Sequence, residues 1–170
     1  MRHLATTVNM SVASIYHYFP DKNSLYLAAL QYAFSAKEQV FSLVWEAECN
    51  EEQRLALLVR SLLTSLKDDP LFHRLIQREV LEANAERLQM LAQKVFNKQF
   101  YLFTEFAGRL APTYDAYLTA ISIIDIICGY IDNLALHKRF PGWKADYENL
   151  DIVAVHLTSL LLRGLRPPLV

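Results

Sequence analysis

Glycine is scarce, with 4 in 170 residues. A Gly-rich loop to cradle phosphate is therefore missing, and hairpin turns that need positive φ have little to be built from. Cys49 and Cys128 are the two cysteines. Thiols this far apart form neither a zinc spacing nor a disulfide framework, and they read as free, mostly buried groups in a reducing cytoplasm. Neither sign of charge dominates. The 17 Lys and Arg set against 18 Asp and Glu leave a net charge of −1, so no global basic field marks a nucleic-acid partner. The most apolar run, Ala116 to Ile131, is shorter than the roughly 20 residues a bilayer crossing needs, and Asp125 interrupts it. It reads as a buried helix, and no membrane partner is expected. No secretory leader opens the sequence, so a cytoplasmic location is the expectation.

Signatures of catalysis are missing as well. No HExxH and no GxSxG occurs, and His3, His17, His73, His137 and His156 are scattered rather than convergent. An enzyme is not expected, and neither a cofactor nor a metal is called for. A helical metal site from Asp68, Asp69 and His73 is conceivable, but helix capping already explains both aspartates.

What the sequence does have is apolar surface. Hydrophobic residues make up 53% of the chain and aromatics 12%, rich for a soluble protein of this length. Such an excess has two natural uses, an oligomer interface and a lined cavity. Few alternating β-branched runs accompany it, so the fold class is all-α. The length suits one large domain, or a moderate one with a small satellite.

The satellite is legible at the amino end, in the stretch from Leu4 to Leu25. Leu4, Ala5 and Val8 fall on one helical face. Asn9-Met10-Ser11 then interrupts. A tight turn between two helices needs a residue at positive φ, and after Gly the cheapest choice is Asn. Ser11 suits an N-cap for a second helix through Phe19, with Ile15 inward and Tyr18 and Phe19 read as core. Pro20 ends that helix, and Asp21 caps the next.

SIYHYFPDKNSL, with Tyr16, His17, Tyr18, Phe19 and Lys22, resembles the signature of the TetR family of bacterial transcriptional regulators. In that family a Tyr-x-x-Phe element closes the recognition helix, and a Lys shortly afterwards marks the following helix. Leu4-Ala5 is similar to the family's Ile-Ala, and Met10-Ser11 to its Val-Ser, while Asn9 stands where Gly is usual. The resemblance covers about the first 25 residues. It implies an upstream helix that this sequence does not contain, so an amino-terminally truncated copy with an incomplete DNA-binding domain is the expectation.

Further along, helical periodicity runs from about Ser24 to Ala47 through Leu25, Ala29, Tyr32, Ala36, Val40 and Leu43, with Lys37, Glu38 and Glu46 elsewhere on the wheel. The TetR-like reading makes this the connecting helix, and the domain boundary falls within it: residues 1–46 form the partial helix-turn-helix unit and 47–170 a ligand-binding and dimerisation bundle. Asn50 to Gln53 looks like a capping box opening a helix to about Leu66. Asp69-Pro70 restarts the chain for a short helix to about Leu81. A long segment covers about Asn84 to Leu110, and another helix about Thr113 to Lys138, apolar over much of its circumference. Phe140-Pro141-Gly142-Trp143 signals a loop. The final helix, about Leu150 to Arg163, carries Val153, Leu157, Leu160 and Gly164 along one seam, before Pro167-Pro168 stops the chain.

Three candidate sites follow. Ser11, Val12, Ala13, Ser14, Tyr16 and His17 form the start and outer face of the recognition helix, where residues meet base edges and phosphates. Val12 and Ala13 suit close approach and thymine-methyl contact, and Lys22 suits a phosphate; core packing or capping is the other reading of Tyr16 and His17. Phe72, Leu75, Phe96, Phe103, Phe106 and Tyr130 are placed to line an apolar effector cavity or simply to fill a core. Asp125 is buried with a partner, faces that pocket, or crosses a dimer seam. His73, Glu79, Glu105 and Asp132 are further polar candidates. By the resemblance, the last two helices (Tyr114 to Ala135 and Asp151 to Gly164) pair with their twins as a homodimer. The reading is a TetR-like repressor that binds operator DNA and is released by a small-molecule effector. The alternative is an all-helical small-molecule-binding protein without working DNA recognition.

Overall fold

A computed structural model of the chain describes residues 1–165, apart from the side chains of residues 35–40. The Pro167-Pro168 stop and the side chains of Ala36, Lys37, Glu38 and Val40 lie outside the described residues. Those residues form helices and no strand, so the all-α expectation holds.

Short helices open the chain: α1 (Arg2–Thr7) and α2 (Val12–Tyr18). The long α3 (Lys22–Glu46) follows, then α4 (Glu51–Asp68) and α5 (Pro70–Glu82). Next come α6 (Ala85–Met90), a π-helical turn (Leu91–Phe96) and α7 (Asn97–Leu110). The chain closes with α8 (Ala116–Asp132), the single turn α9 (Leu134–His137), a 3-10 turn (Ala145–Glu148) and α10 (Leu150–Gly164).

Side-chain caps set most of these boundaries. Asn50 and Gln53 close a reciprocal capping box at the start of α4. Asp69 Oδ1 accepts from the Phe72 amide, with Pro70 at the first helical position. Caps also correct the predicted extent of α8. Asp115 accepts from the Leu118 amide and starts the helix later than Thr113, while Asn133 Nδ2 turns back onto the Gly129 carbonyl and ends it well before Lys138.

The centre of the body is α4. Leu55, Leu58, Val59, Leu62 and Leu63 are buried against Phe41 and Val44 of α3, Phe103 and Phe106 of α7, Ile123 and Ile127 of α8, and Val153, Leu157 and Leu161 of α10. Residues at intervals of three and four share one helix face, so α4 meets four neighbours with a single broad stripe. A second, smaller cluster holds Leu30 and Phe34 of α3 against Leu91 and Val95 of the π turn, with Phe72, Leu75, Ile76 and Phe96 packed around it.

One expected seam is corrected by the structure. Along α10 the buried line is Val153, Ala154, Leu157, Thr158 and Leu161. Leu160 and Gly164 face outward, and a Cβ at Gly164 would meet nothing within 4 Å. The long segment expected from about Asn84 to Leu110 is α6, the π turn and α7 in succession. The wider π turn lets Leu91 and Val95 both reach α3.

Candidate nucleic-acid interface and body

The corner between α1 and α2 follows from three residues. Asn9 sits at φ 53, in the left-handed region. Around it the Met10 amide donates to the Ala5 carbonyl at 2.9 Å and the Asn9 amide to that of Thr6 at 3.2 Å, the two bonds of a Schellman stop. Ser11 then caps α2, its Oγ accepting from the Ser14 amide at 2.9 Å and lying 2.7 Å from Ser14 Oγ. The turn residue, the cap and the Pro20 break therefore do what their chemistry predicts.

Ala5 and Ile15 are buried between the two helices, whereas Leu4, Val8 and Met10 are partly exposed. The outer face of α2 presents Ser11, Ala13, Tyr16 and His17, with Val12 and Ser14 half-buried. Lys22 is exposed at the first position of α3. Tyr18 corrects an expectation: read as core, it is 69% exposed, and its ring meets His17 edge-on at 5.3 Å. A phenol tolerates this because its hydroxyl stays in water. Phe19 is half-buried. At the entry to α3, Asp21 Oδ1 accepts from the Ser24 amide at 2.7 Å. That bond, reinforced by the Ser24 hydroxyl, holds the Asp21 carboxyl below the usual carboxylate range.

The seven residues expected around one effector cavity are not gathered at one place. Phe72 and Phe96 flank Phe34 at ring separations of 6.2 and 4.9 Å, and Leu75 packs on the same cluster. Phe103 is buried, and Phe106, at 0% exposure, is walled in beside Trp45; both fill the main core. Tyr130 packs its ring on that core and donates its hydroxyl to the Tyr147 carbonyl at 2.5 Å. Asp125 is exposed on the outer face of α8, so the reading of a buried, partnered carboxylate does not hold.

Two open grooves are present. One of about 350 Å³ lies between Asn50, Glu51, Glu52, Arg109, Leu110, Leu162 and Leu165. Another of about 270 Å³ runs between the start of α3 (Ser24, Leu27, Gln31) and Glu86, Met90 and Lys94. Among the described residues no group of three or more His, Cys, Asp or Glu is arranged to hold a metal. Asp69 serves as a cap and His73 Nε2 pairs with the Asp132 carboxylate, linking α5 to α8. No helix among the described residues is long and apolar enough to cross a membrane.

Sequence reasoning passed over the polar contacts that fix α3. Arg54 of α4 reaches its carboxy end, donating to the carbonyls of Val44 (2.5 Å), Trp45 (2.9 Å), Ala47 (2.9 Å) and Cys49 (3.4 Å). Trp45 Nε1 donates to Gln99 Oε1 at 3.0 Å, which explains why Gln99 is buried. An arginine among leucines on an amphipathic helix gives no hint of this, because its partners are backbone atoms.

The arrangement is that of a helix-turn-helix carried on a long helix that enters a helical bundle. Residues 1–29 match the family model described as bacterial regulatory proteins, tetR family. The chain also has the fold of a crystallised bacterial regulatory protein in the tetR family from Rhodococcus RHA1: the TM-score is 0.64 at 21% identity, over 96% of this chain and 84% of that one. No curated protein matches the sequence. Residues 1–29 thus carry the amino-terminal signature of the TetR family of transcriptional regulators, and the chain as a whole has the fold of a tetR-family regulator.

Proposed function

We propose that the protein is a ligand-responsive repressor that binds operator DNA as a homodimer through α2 and is released by a small-molecule effector. The observation that carries this is the corner at Asn9 and Ser11, which turns Ser11, Ala13, Tyr16 and His17 outward on one helix while Ile15 anchors its back. In this reading residues 1–46 are the DNA-reading unit and residues 47–170 the regulatory and dimerisation body. Ser11, Val12, Ala13 and Ser14 approach the groove floor, Tyr16 and His17 reach base edges or phosphates, and Lys22 neutralises a phosphate. Work on DNA implies a cytoplasmic location.

Support for the dimer comes from the outer faces of α8 and α10. Tyr117, Leu118 and Ile126 are exposed on one, and Ile152, Val155 and Leu160 on the other, with Val155 69% and Leu160 53% exposed. Water-facing aliphatics on two closing helices suit an isologous helical interface, and Asp125 then lies at its seam. For the effector, the cluster of Phe72, Leu75 and Phe96 around Phe34 is favoured, because it touches α3 directly. Displacing those rings tilts α3 and changes the spacing of the two recognition helices, which operator half-sites about 34–36 Å apart do not tolerate.

A mobility-shift titration on an operator duplex tests the DNA contacts. Tyr16→Ala weakens specific binding about tenfold or more. Lys22→Ala weakens specific and non-specific duplexes alike, and its salt slope is shallower by about one, the share of a single neutralised phosphate. Unchanged binding by both variants would rule out α2 as the reading helix.

A further inference from the structure

Glu79 of α5 is 2% exposed. A carboxylate so far from water requires partners, and it finds them on two other elements. Tyr26 of α3 donates its hydroxyl to Glu79 Oε1 at 3.0 Å. Arg87 of α6 brings Nε to 2.8 Å from Oε2, an ion pair without hydrogen-bond alignment. Arg87 also pairs with Glu82, to which Arg78 Nε donates at 2.6 Å. Arg78, and then Arg87, hold the Glu82 carboxyl below its usual range. Burial, and then the bond to Glu79, push the Tyr26 hydroxyl up, so it remains a donor at neutral pH.

Where this network sits gives it a meaning beyond stability, since a buried ion pair is a poor source of net stabilisation compared with apolar packing. The carboxy end of α3 is clamped by Arg54, by Trp45 and by two core residues, Phe41 and Val44. Its amino half is held differently: by Leu30 and Phe34, packed on the π turn and on Phe72, Leu75 and Ile76 of α5, and by the Tyr26 hydroxyl. The groove beside Ser24, Leu27 and Gln31 leaves that half open on one flank. Tyr26 lies one turn after Lys22, immediately downstream of α2.

We infer that Tyr26, Glu79 and Arg87 form a latch that fixes the tilt of α3, and that opening it is how a change in the body reaches the recognition helix. Tyr26 and Glu79 are thus positioning residues. The inference rests on α2 being the DNA-reading helix, but its test needs no DNA. Amide hydrogen exchange of the intact protein is compared with that of Tyr26→Phe, which removes one oxygen, and Glu79→Gln, which keeps an acceptor for Tyr26 but removes the charge facing Arg87.

In Tyr26→Phe, exchange over residues 12–30 speeds up about tenfold while residues 150–164 keep their protection. In Glu79→Gln, residues 85–96 loosen by a similar factor. Equal acceleration in α10 would make the hydroxyl a contributor to overall stability alone, and no change over 12–30 would show that it holds nothing; either overturns the latch. An unchanged 85–96 in Glu79→Gln removes Arg87 and overturns the three-element assignment. Failure here leaves DNA reading intact, whereas wild-type protein that ignores DNA sinks the proposed function and leaves these exchange rates as they are.

Discussion

Asn9 and Ala83 are the two non-glycine residues at positive φ among those described, at 53° and 50°. A side chain with Cβ costs roughly 1–2 kcal/mol in that region unless, like Asn, it bonds the local backbone. Asn9→Val should therefore destabilise the α1–α2 corner by about 1–2 kcal/mol, whereas Asn9→Gly should be near neutral. Ala83→Gly, at the corner between α5 and α6, should stabilise by up to about 1 kcal/mol. Denaturant melts of the three variants read all of these. Cys128 gives a pH prediction. Burial, with smaller contributions from Asp132 and Asp125, pushes its thiol up from 9.0 to about 11. The folded state then holds that proton more tightly than the unfolded state. Its contribution to stability is complete below pH 9 and is lost as pH rises through about 11. At pH 8 the native thiolate fraction is ~100-fold below that of an ordinary thiol, so alkylation of Cys128 should be slow until the chain unfolds. The turn role of Asn9 was legible because positive φ has few candidates. The exposure of Tyr18 was not, because an aromatic in a short helix reads as core whichever way its ring points.

At the scale of elements, α3 has an anchored carboxy end. Arg54 satisfies carbonyls that the last turn of a helix leaves orphaned, and its charge complements the negative end of the helix dipole. Arg54→Met keeps much of the stem but strips four acceptors of their donor, and should cost about 2–3 kcal/mol. A shifted urea midpoint at unchanged slope checks it. Caps written into the sequence (Ser11, Asp21, Asn50, Asp69) made helix starts legible, because one side-chain oxygen three residues before an amide is a local fact. The π turn at Leu91–Phe96 was not legible. An extra residue in one turn shifts the phase of everything after it, and its cause is a neighbouring helix rather than the segment itself. Glu79 was noticed among several acids, but nothing local distinguished it from Glu105, which is exposed. Its partners lie 53 residues earlier and just beyond the α5–α6 corner.

For the molecule as a whole, the high apolar content is divided between two demands. Much fills the α4-centred core and the smaller cluster beside α3, and the rest is exposed on several helices, α3, α5, α8 and α10 among them. The sequence conveyed that excess but left Phe103 and Phe106 open between lining a cavity and filling a core, and they close the core. Val155→Glu combined with Leu160→Glu places two charges on the expected seam without touching buried positions. Sedimentation should show a monomer with its helicity retained, against a dimer for the parent.

The most direct measurement of the central claim is selection of bound sequences from a pool of randomised DNA duplexes, with the double Glu variant run alongside. The parent protein should enrich an inverted repeat whose half-sites lie about 34–36 Å apart, on one face of the duplex, and the double variant should lose it. Enrichment of no motif, or of a single unrepeated element bound equally well by the double variant, would contradict the account.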